Sequence, residues 1–538
     1  MEKKLSSLIK QLEIISIKYA ENDPIITSLV FDSRKVEQGS LFFAWPGVHI
    51  HGNTYIASAI EKGAVAIVYQ DELPQDAIEA FEKAVANNKN VIAIQVESSR
   101  FAMAPISSEF YDNPSSKLGI IGITGTEGKS STVSFIWQLL RFVGKKAGFI
   151  STVEYSIGDD AIENPQHQTT PEAPIVQQRL YEMVQNGCEY AVIEASSHGL
   201  SEKLNRLGNV LFDVVAVMNV TLEHLEFHGT LEQYRFDKGN LFRSIEKHDH
   251  KKFILGSPIA QNIPSFAIVN LDDKNADYFA GITTKQVMGY TTKNNSSVLA
   301  NVSRLEIKNI ESSKDGLEFD LDSFAHIKTN VKGRFNAYNI TTAILAVSGI
   351  LGKSASEISS YASDLVGIKG RMTSVNCGQP FEVIVDYAHT PSRFETIFPP
   401  IKERCSKNGG RLFALFGSGG ERDIQKRPLQ GQIAANYCDF IFLADEDPRG
   451  EVPEKLLSDI AAGCKDKNGK MLALNEKLFI IPNRKKAIRA AFKMAKENDI
   501  ILLLGKSHEN SIIYKDYVMP YDEIQEAKLA LSEMGFSL

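Results

Sequence analysis

Apolar runs of strand length recur along almost the whole chain, each followed by an amphipathic stretch. Ala64-Val65-Ala66-Ile67-Val68, Val91-Ile92-Ala93-Ile94, Val214-Val215-Ala216-Val217 and Phe440-Ile441-Phe442-Leu443 are examples. Such alternation predicts α/β layers with largely parallel sheets. At 538 residues the chain is long for a single domain of roughly 100–200 residues, so three domains are expected. Two punctuated joins place the boundaries, Asn113-Pro114-Ser115-Ser116-Lys117 and Gly367-Ile368-Lys369-Gly370-Arg371. They give domains over 1–115, 116–369 and 370–538, with short strands and turns inserted in the middle one from about 285 to 330.

Composition narrows the class. Hydrophobic residues make up 43%, charged 23% and aromatic 9%, which excludes a largely disordered or fibrous chain. With 59 Lys and Arg against 66 Asp and Glu, the net charge is −7. That leaves no overall basic footprint for nucleic acid, so anionic ligands would need local cationic pockets. Apolar runs such as Ile500-Ile501-Leu502-Leu503-Leu504 fall far short of the ~20 residues that span a bilayer. The charged start lacks a signal peptide's apolar core, and five scattered cysteines form no CxxC pair. A cytoplasmic protein without a membrane span is expected.

The strand pattern at 118–123 runs into Thr124-Gly125-Thr126-Glu127-Gly128-Lys129-Ser130-Ser131-Thr132 and then a helical pattern from Val133 to Val143. Strand, glycine-rich turn and helix start make an anion cradle: backbone N–H groups approach phosphate oxygens, Lys129 bridges phosphates, and Ser130 reaches Mg²⁺. The spacing is a compact G-T-x-G-K-[ST], since Ile123 stands where the strict Walker motif has its first glycine. ATP is the expected ligand. Two other patterns fail: His224 to His228 lacks the zincin order, and Gly417-Ser418-Gly419-Gly420 lacks the dinucleotide-binding spacing.

Further motifs follow in order: Gln168-Thr169-Thr170-Pro171, Glu194-Ala195-Ser196-Ser197-His198-Gly199-Leu200, Asn219 to Gly229, and Lys238-Gly239-Asn240. Gly333-Arg334-Phe335-Asn336-Ala337-Tyr338-Asn339, Gly370-Arg371-Met372, Asp386-Tyr387-Ala388-His389-Thr390-Pro391, Gly419 to Asp423, Glu446 to Glu451 and Gly505-Lys506-Ser507-His508-Glu509 complete the set. With the loop, this ordered series resembles the Mur ligase family, ATP-dependent amide-forming enzymes of cell-wall precursor synthesis. Asp32-Ser33-Arg34 and the last motifs resemble the branch that joins a third amino acid to UDP-N-acetylmuramoyl-L-alanyl-D-glutamate. A folylpolyglutamate synthetase would share the loop but not the Asp32–Arg34 and Glu446–Glu451 segments.

The resemblance implies an N-terminal nucleotide-sugar domain, a central ATPase-like domain and a Rossmann-like C-terminal domain that binds the amino acid. It implies two Mg²⁺ ions, with Glu194 and Ser130 as ligands, His224 at or near the second ion, and Lys238 carbamylated into an oxygen donor; a plain phosphate-pairing lysine is the alternative. Asn336 and Asn339, ahead of a helix, would lie by the adenine unless they act only as caps. Arg371 would lie near the phosphates and Asp386 at the ribose, while His389 reads either as a nucleotide contact or as a turn former. Gly125, Thr126, Glu127, Gly128 and Ser131 complete the ATP site. Ser33 would meet the uridine diphosphate; Thr169, Thr170, Ser197 and Arg206 would hold the rest of that substrate, unless Arg206 is a solvated helix residue.

Arg422 would bind the α-carboxylate of the incoming amino acid, and Asp447, Arg449 and Glu509 would read its side chain. Asp447 stands where diaminopimelate-adding relatives carry Asn and favours a terminal ammonium, as in lysine or ornithine. Arg449 favours the distal carboxylate of diaminopimelate, unless Asp447 or Glu451 holds it. Glu127 and Ser507 depart from the family's usual Asn and Gly, which leaves a catalytically weakened paralogue as the rival reading. A monomer is expected.

Overall fold

A computed structural model describes all residues except 20, 21, 48, 49, 88, 90, 166, 167, 222, 294–301 and 538. It divides into two compact units. The first comprises Met1–Val220, Thr230–Leu305 and Thr342–Ile358; the second comprises Thr221–Gly229, Glu306–Thr341 and Ser359–Leu538.

Two sheets build the first unit. One has five strands in the order Ile14–Lys18, Ile92–Val96, Ala66–Tyr69, Ser40–Ala44, Ser28–Val30, with only the first antiparallel to its neighbour. In the other, parallel strands run in the order Ala147–Ile150, Tyr190–Glu194, Gly119–Thr124, Val214–Val217, Phe266–Asn270, Gln286–Thr291. A hairpin of Glu154–Ser156 and Ile162–Glu163 closes one edge. The interior strands are buried on both faces, which is why they read as continuous Val/Ile/Ala runs without alternation.

A buried ionic knot fastens the linker ahead of this second sheet. Asp213 is fully buried and accepts from the Ile120 N–H at 2.9 Å, His250 Nδ1 at 3.0 Å and Lys252 Nζ at 3.1 Å. The Lys252 ammonium also donates to the carbonyls of Ser115 at 2.9 Å and Leu211 at 2.6 Å. All three of its protons are thus used, the condition under which a buried charge is tolerated.

The second unit is organised on a six-stranded sheet in the order Thr373–Val375, Glu382–Asp386, Ile500–Leu504, Leu412–Phe416, Phe440–Leu443, Leu478–Ile480. All but the first strand are parallel. Helices Pro391–Lys407, Lys426–Tyr437 and Pro453–Ala461 contribute to one core, and Arg484–Met494 and Glu523–Glu533 to the other. The fully buried Arg484 is held by Glu523 at 2.6 Å. The unit also carries antiparallel strands Leu317–Leu321 and Ala325–Thr329, paired with the end of Val302–Ser312. That last strand is eleven residues long, not short as its sequence suggests, because a register shift between Lys308 and Glu311 interrupts its alternation.

Candidate active site

Strand Gly119–Thr124 ends between Tyr190–Glu194 and Val214–Val217, and the glycine-rich turn follows. Gly125 has φ 146° and Gly128 φ 84°, values that disfavour any side chain. A Cβ on Gly125 would also fall 2.9 Å from that of Met218. The turn opens helix Lys129–Phe142, whose first N–H groups have no partner within the helix and form an anion seat. Asn219, just past the neighbouring strand, clamps the turn. Its carbonyl accepts the Thr126 N–H at 2.8 Å and its Oδ1 the Glu127 N–H at 2.9 Å. The Lys129 ammonium folds back onto the Thr126 carbonyl at 2.8 Å.

Parallel pairing sets Glu194 beside Ile123, at the entrance to this turn. Its carboxylate is 1% exposed and accepts from Ser130 Oγ at 3.1 Å, Ser151 Oγ at 2.5 Å and the Thr152 N–H at 2.9 Å. Glu194 and Ser130 form a hard-oxygen pair of the type that suits Mg²⁺. From helix Leu231–Ser244, Lys238 reaches the same turn: its buried ammonium donates to the Gly125 carbonyl at 2.7 Å and lies 4.4 Å from the Tyr234 ring centre. Lys129, Ser130, Glu194 and Lys238, spread over more than a hundred residues of chain, therefore meet at one loop. Ser131 is buried in the first turn of the helix.

The Thr169-Thr170 segment lies next to Glu194. Thr170 Oγ1 donates to the Glu194 carbonyl at 2.8 Å and accepts the Ser196 N–H at 3.0 Å; Thr169 accepts from the Thr152 hydroxyl at 3.0 Å. Ser197 begins the short helix Ser197–Leu200, capped by Ser196. Arg206 is not a solvated helix residue. The chain is in turns there, after Asn205 at φ 45°, and its side chain is 12% exposed. Its guanidinium donates to the Thr170 carbonyl at 3.0 Å and to Glu172 at 2.7 Å, a carboxylate shared with Arg100, which stacks on Trp45. Ser33 opens a 3₁₀ turn, its carbonyl accepting from Lys62 at 2.8 Å, while Asp32 and Arg34 pair with each other.

In the second unit, His224 has φ 56° and precedes the one-turn helix Leu225–His228, with Glu226 at 3.4 Å and Glu223 at 3.7 Å from its ring nitrogens. The His224 hydrogen bond holds the Glu226 carboxyl down to about 2, and Arg422 adds to the effect. Asn336 and Asn339 lie inside the first turn of helix Asn336–Leu351 rather than ahead of it, both buried, with the Asn339 amide donating to Asn336 at 2.7 Å. The Asn336 amide also donates to the Lys332 carbonyl at 2.6 Å, and the Asn336 and Ala337 N–H groups bond to the carbonyls of Gly333 and Arg334.

The carboxyl ends of the parallel strands carry the remaining candidates, where open α/β sheets place their ligands. Asp386 is fully buried and accepts the Met372 and Ala388 N–H groups, each at 2.9 Å. Tyr387 lies beneath Arg371, whose guanidinium carbon is 4.7 Å from the ring centre. His389 Nδ1 donates to the Tyr387 carbonyl at 2.7 Å, and the His389 carbonyl accepts from Lys426 and Gln430. Burial and then the Lys426 charge push this imidazole below its ordinary range, so it is neutral at pH 7.

Asp447 accepts from Lys506 Nζ at 2.8 Å and the Ile513 N–H at 2.9 Å. Glu509 accepts from the same ammonium at 2.5 Å and from the Tyr387 hydroxyl at 3.2 Å. Arg449, at φ 53°, bonds through its N–H to the Ile513 carbonyl. Both carboxylates considered for it are engaged by other cations: Asp447 by Lys506, and Glu451 by Arg427 at 2.8 Å. Arg422 is exposed in the loop before helix Lys426–Tyr437.

Sequence reasoning assigned no role to Asn219, Ser151, Tyr234, Tyr387 or Lys506. Asn219, Tyr387 and Lys506 stand inside quoted motifs and were findable there. Ser151 carries no local signal, since only strand pairing brings it to Glu194.

Comparison with known proteins agrees with this geometry. Residues 25–111 match the "Mur ligase family, catalytic domain", 123–347 the "Mur ligase middle domain", and 370–507 the "Mur ligase, glutamate ligase domain". The chain belongs to the Mur ligase family, three Mur ligase domains in one ATP-dependent ligase. A Treponema denticola protein named UDP-N-acetylmuramyl-tripeptide synthetase is 48% identical over 98% of each chain. A Geobacillus kaustophilus UDP-N-acetylmuramoyl-L-alanyl-D-glutamate--2,6-diaminopimelate ligase is 35% identical over 99% of this chain and 100% of its own. MurF ligase from Thermotoga maritima, solved in complex with ADP, shares the fold with a TM-score of 0.61 at 17% identity, covering 94% of this chain and 97% of its own. No described helix is long and apolar enough to cross a membrane.

Proposed function

We propose that this ligase adds a third, diamino acid to UDP-N-acetylmuramoyl-L-alanyl-D-glutamate, with lysine or ornithine favoured over meso-diaminopimelate. The convergence of Lys129, Ser130, Glu194 and Lys238 on one glycine turn carries the reading. The substrate carboxylate attacks the γ-phosphate of ATP, ADP leaves, and the amine of the incoming acid displaces phosphate from the acyl phosphate. Lys129 and the turn's N–H groups neutralise charge on the transferring group. Magnesium, when bound, adds to that neutralisation; Ser130 and Glu194 would hold one ion, and His224 with a carbamylated Lys238 a second.

Residues 1–115 would take the uridine diphosphate end through Ser33, and 116–369 the ATP and, through Thr169, Thr170, Ser197 and Arg206, the rest of the nucleotide-sugar. Residues 370–538 would take the amino acid through Arg422, Asp447, Arg449 and Glu509. Gly125, Thr126, Glu127, Gly128, Ser131, Asn336, Asn339, Arg371, Asp386 and His389 complete the nucleotide site. The Asp447–Lys506–Glu509 cluster supports the choice of acid: two carboxylates against one ammonium leave a formal −1, which attracts a distal ammonium. The enzyme is assigned to the cytoplasm as a monomer. The test is ADP release and product mass with the nucleotide-sugar, ATP and Mg²⁺, offering lysine, ornithine and meso-diaminopimelate separately. Preferential ligation of diaminopimelate would overturn the choice of acid. Absence of product from all three, in folded protein, would overturn the function.

A further inference from the structure

We propose that Lys506 is a positioning residue for acceptor choice, a resident counter-ion that fixes Asp447 and Glu509 in the amino-acid pocket. This deepens the functional reading above and rests on it. The geometry is specific. Lys506 follows strand Ile500–Leu504, and Gly505 at φ 96° turns the chain at the sheet's carboxyl edge. The lysine side chain is 1% exposed, whereas those of Asp447 and Glu509 keep 11% and 21%. The cation is therefore interior and the two carboxylates lie nearer the solvent edge, the order expected if the carboxylates meet the ligand and the ammonium supports them. Each carboxylate has a second anchor, the Ile513 N–H for Asp447 and the Tyr387 hydroxyl for Glu509.

Two consequences separate this role from a purely structural one. Without Lys506 two neighbouring carboxylates repel and lose their aim, so the amino-acid KM rises while nucleotide-sugar binding, made by the other unit, does not. Tyr387 fixes only Glu509, and its loss should produce a smaller change of the same kind. It stacks beneath Arg371, so the ATP KM is followed as well.

The experiment measures kcat and KM for lysine, ornithine and meso-diaminopimelate, and KM for ATP and the nucleotide-sugar, in wild type, Lys506→Met, Lys506→Arg and Tyr387→Phe. Lys506→Met should raise KM for the preferred acceptor at least tenfold and change the ratio of kcat/KM between acceptors, with the nucleotide-sugar KM within twofold. Lys506→Arg should retain the wild-type ratio, and Tyr387→Phe should raise the acceptor KM about threefold. An unchanged acceptor ratio in both Lys506→Met and Tyr387→Phe, or a kcat loss equal for all acceptors at constant KM, would overturn the inference. If Lys506→Met does not fold, Tyr387→Phe decides: a raised acceptor KM with a shifted acceptor ratio supports the inference, and an unchanged ratio overturns it. Wild type that ligates none of the three acceptors would instead remove the functional reading itself.

Discussion

Ser507 Oγ donates a 2.5 Å hydrogen bond to the carbonyl of Gly370, 137 residues earlier in the chain. Ser507 is buried at φ 47° and Gly370 lies at φ 75°. A non-glycine residue in this left-handed region costs about 1–2 kcal/mol, and a hydrogen bond returns about 1 kcal/mol. The serine's one polar atom thus offsets most of the conformational strain it introduces.

Two substitutions at this position should therefore differ. Ser507→Ala keeps the strain and loses the bond, and should destabilise by about 1 kcal/mol. Ser507→Gly loses both and should lie within about 0.5 kcal/mol of wild type. Denaturant midpoints of the two variants test the order, and equal midpoints would contradict it.

Asn219 holds the phosphate turn in place without being expected to touch the nucleotide. Asn219→Ala removes the Oδ1 acceptor from the Glu127 N–H while leaving the backbone bond to Thr126. The ATP KM should rise about tenfold, the equivalent of one lost hydrogen bond of ~1.4 kcal/mol, with the acceptor KM unchanged. Steady-state ADP release at varied ATP checks this.

In the proposed function Glu194 serves both the turn and a Mg²⁺ ion. Glu194→Gln retains shape and some hydrogen bonding but removes the charge, so activity should fall at least a hundredfold, about 2.7 kcal/mol, and half-saturation should move to higher Mg²⁺. Activity measured across a Mg²⁺ titration tests this; an unshifted titration would remove Glu194 from the metal site.

Two carboxylates of the second unit give stability opposite dependences on pH. Glu451 is held down to about 2, chiefly by the Arg427 hydrogen bond. Its contribution is complete above its unfolded value of 4.5 and is lost as pH falls through about 2. Asp445 is pushed up to about 6 by burial, against an unfolded value of 3.8, so stability falls as pH rises from about 4 through 6. Asp445→Asn should therefore gain stability over wild type at pH 8 more than at pH 4, which thermal melts at both pH values will show. Arg427→Met should destabilise at pH 7 by about 1–3 kcal/mol, since it removes the charge-assisted hydrogen bonds to the partly exposed Glu451 and Asp459.

The interior strands were legible because burial on both faces writes itself as unbroken apolar runs, as in Val214–Val217 and Ile500–Leu504. The turn at Gly125 was legible for a related reason, since its geometry demands glycine at fixed positions. Partnerships across the sheet were not. Nothing local in the sequence says that Ser151 faces Glu194, or that Arg206 spends its guanidinium on Glu172 instead of water. The choice of Lys506 over Arg449 as partner for Asp447 was equally hidden, because both cations lie in motifs and only the fold ranks their distances.

The Asn219 clamp has a consequence for how the phosphate turn can vary between sequences. Gly125 and Gly128 are fixed by their dihedrals, Lys129 and Ser130 by their chemistry, and the Thr126 hydroxyl lies 3.1 Å from that of Tyr234. At position 127 the clamp grips main-chain atoms, which every amino acid except proline supplies alike. A glutamate at position 127 therefore keeps both main-chain bonds of the clamp while adding a negative charge beside the turn.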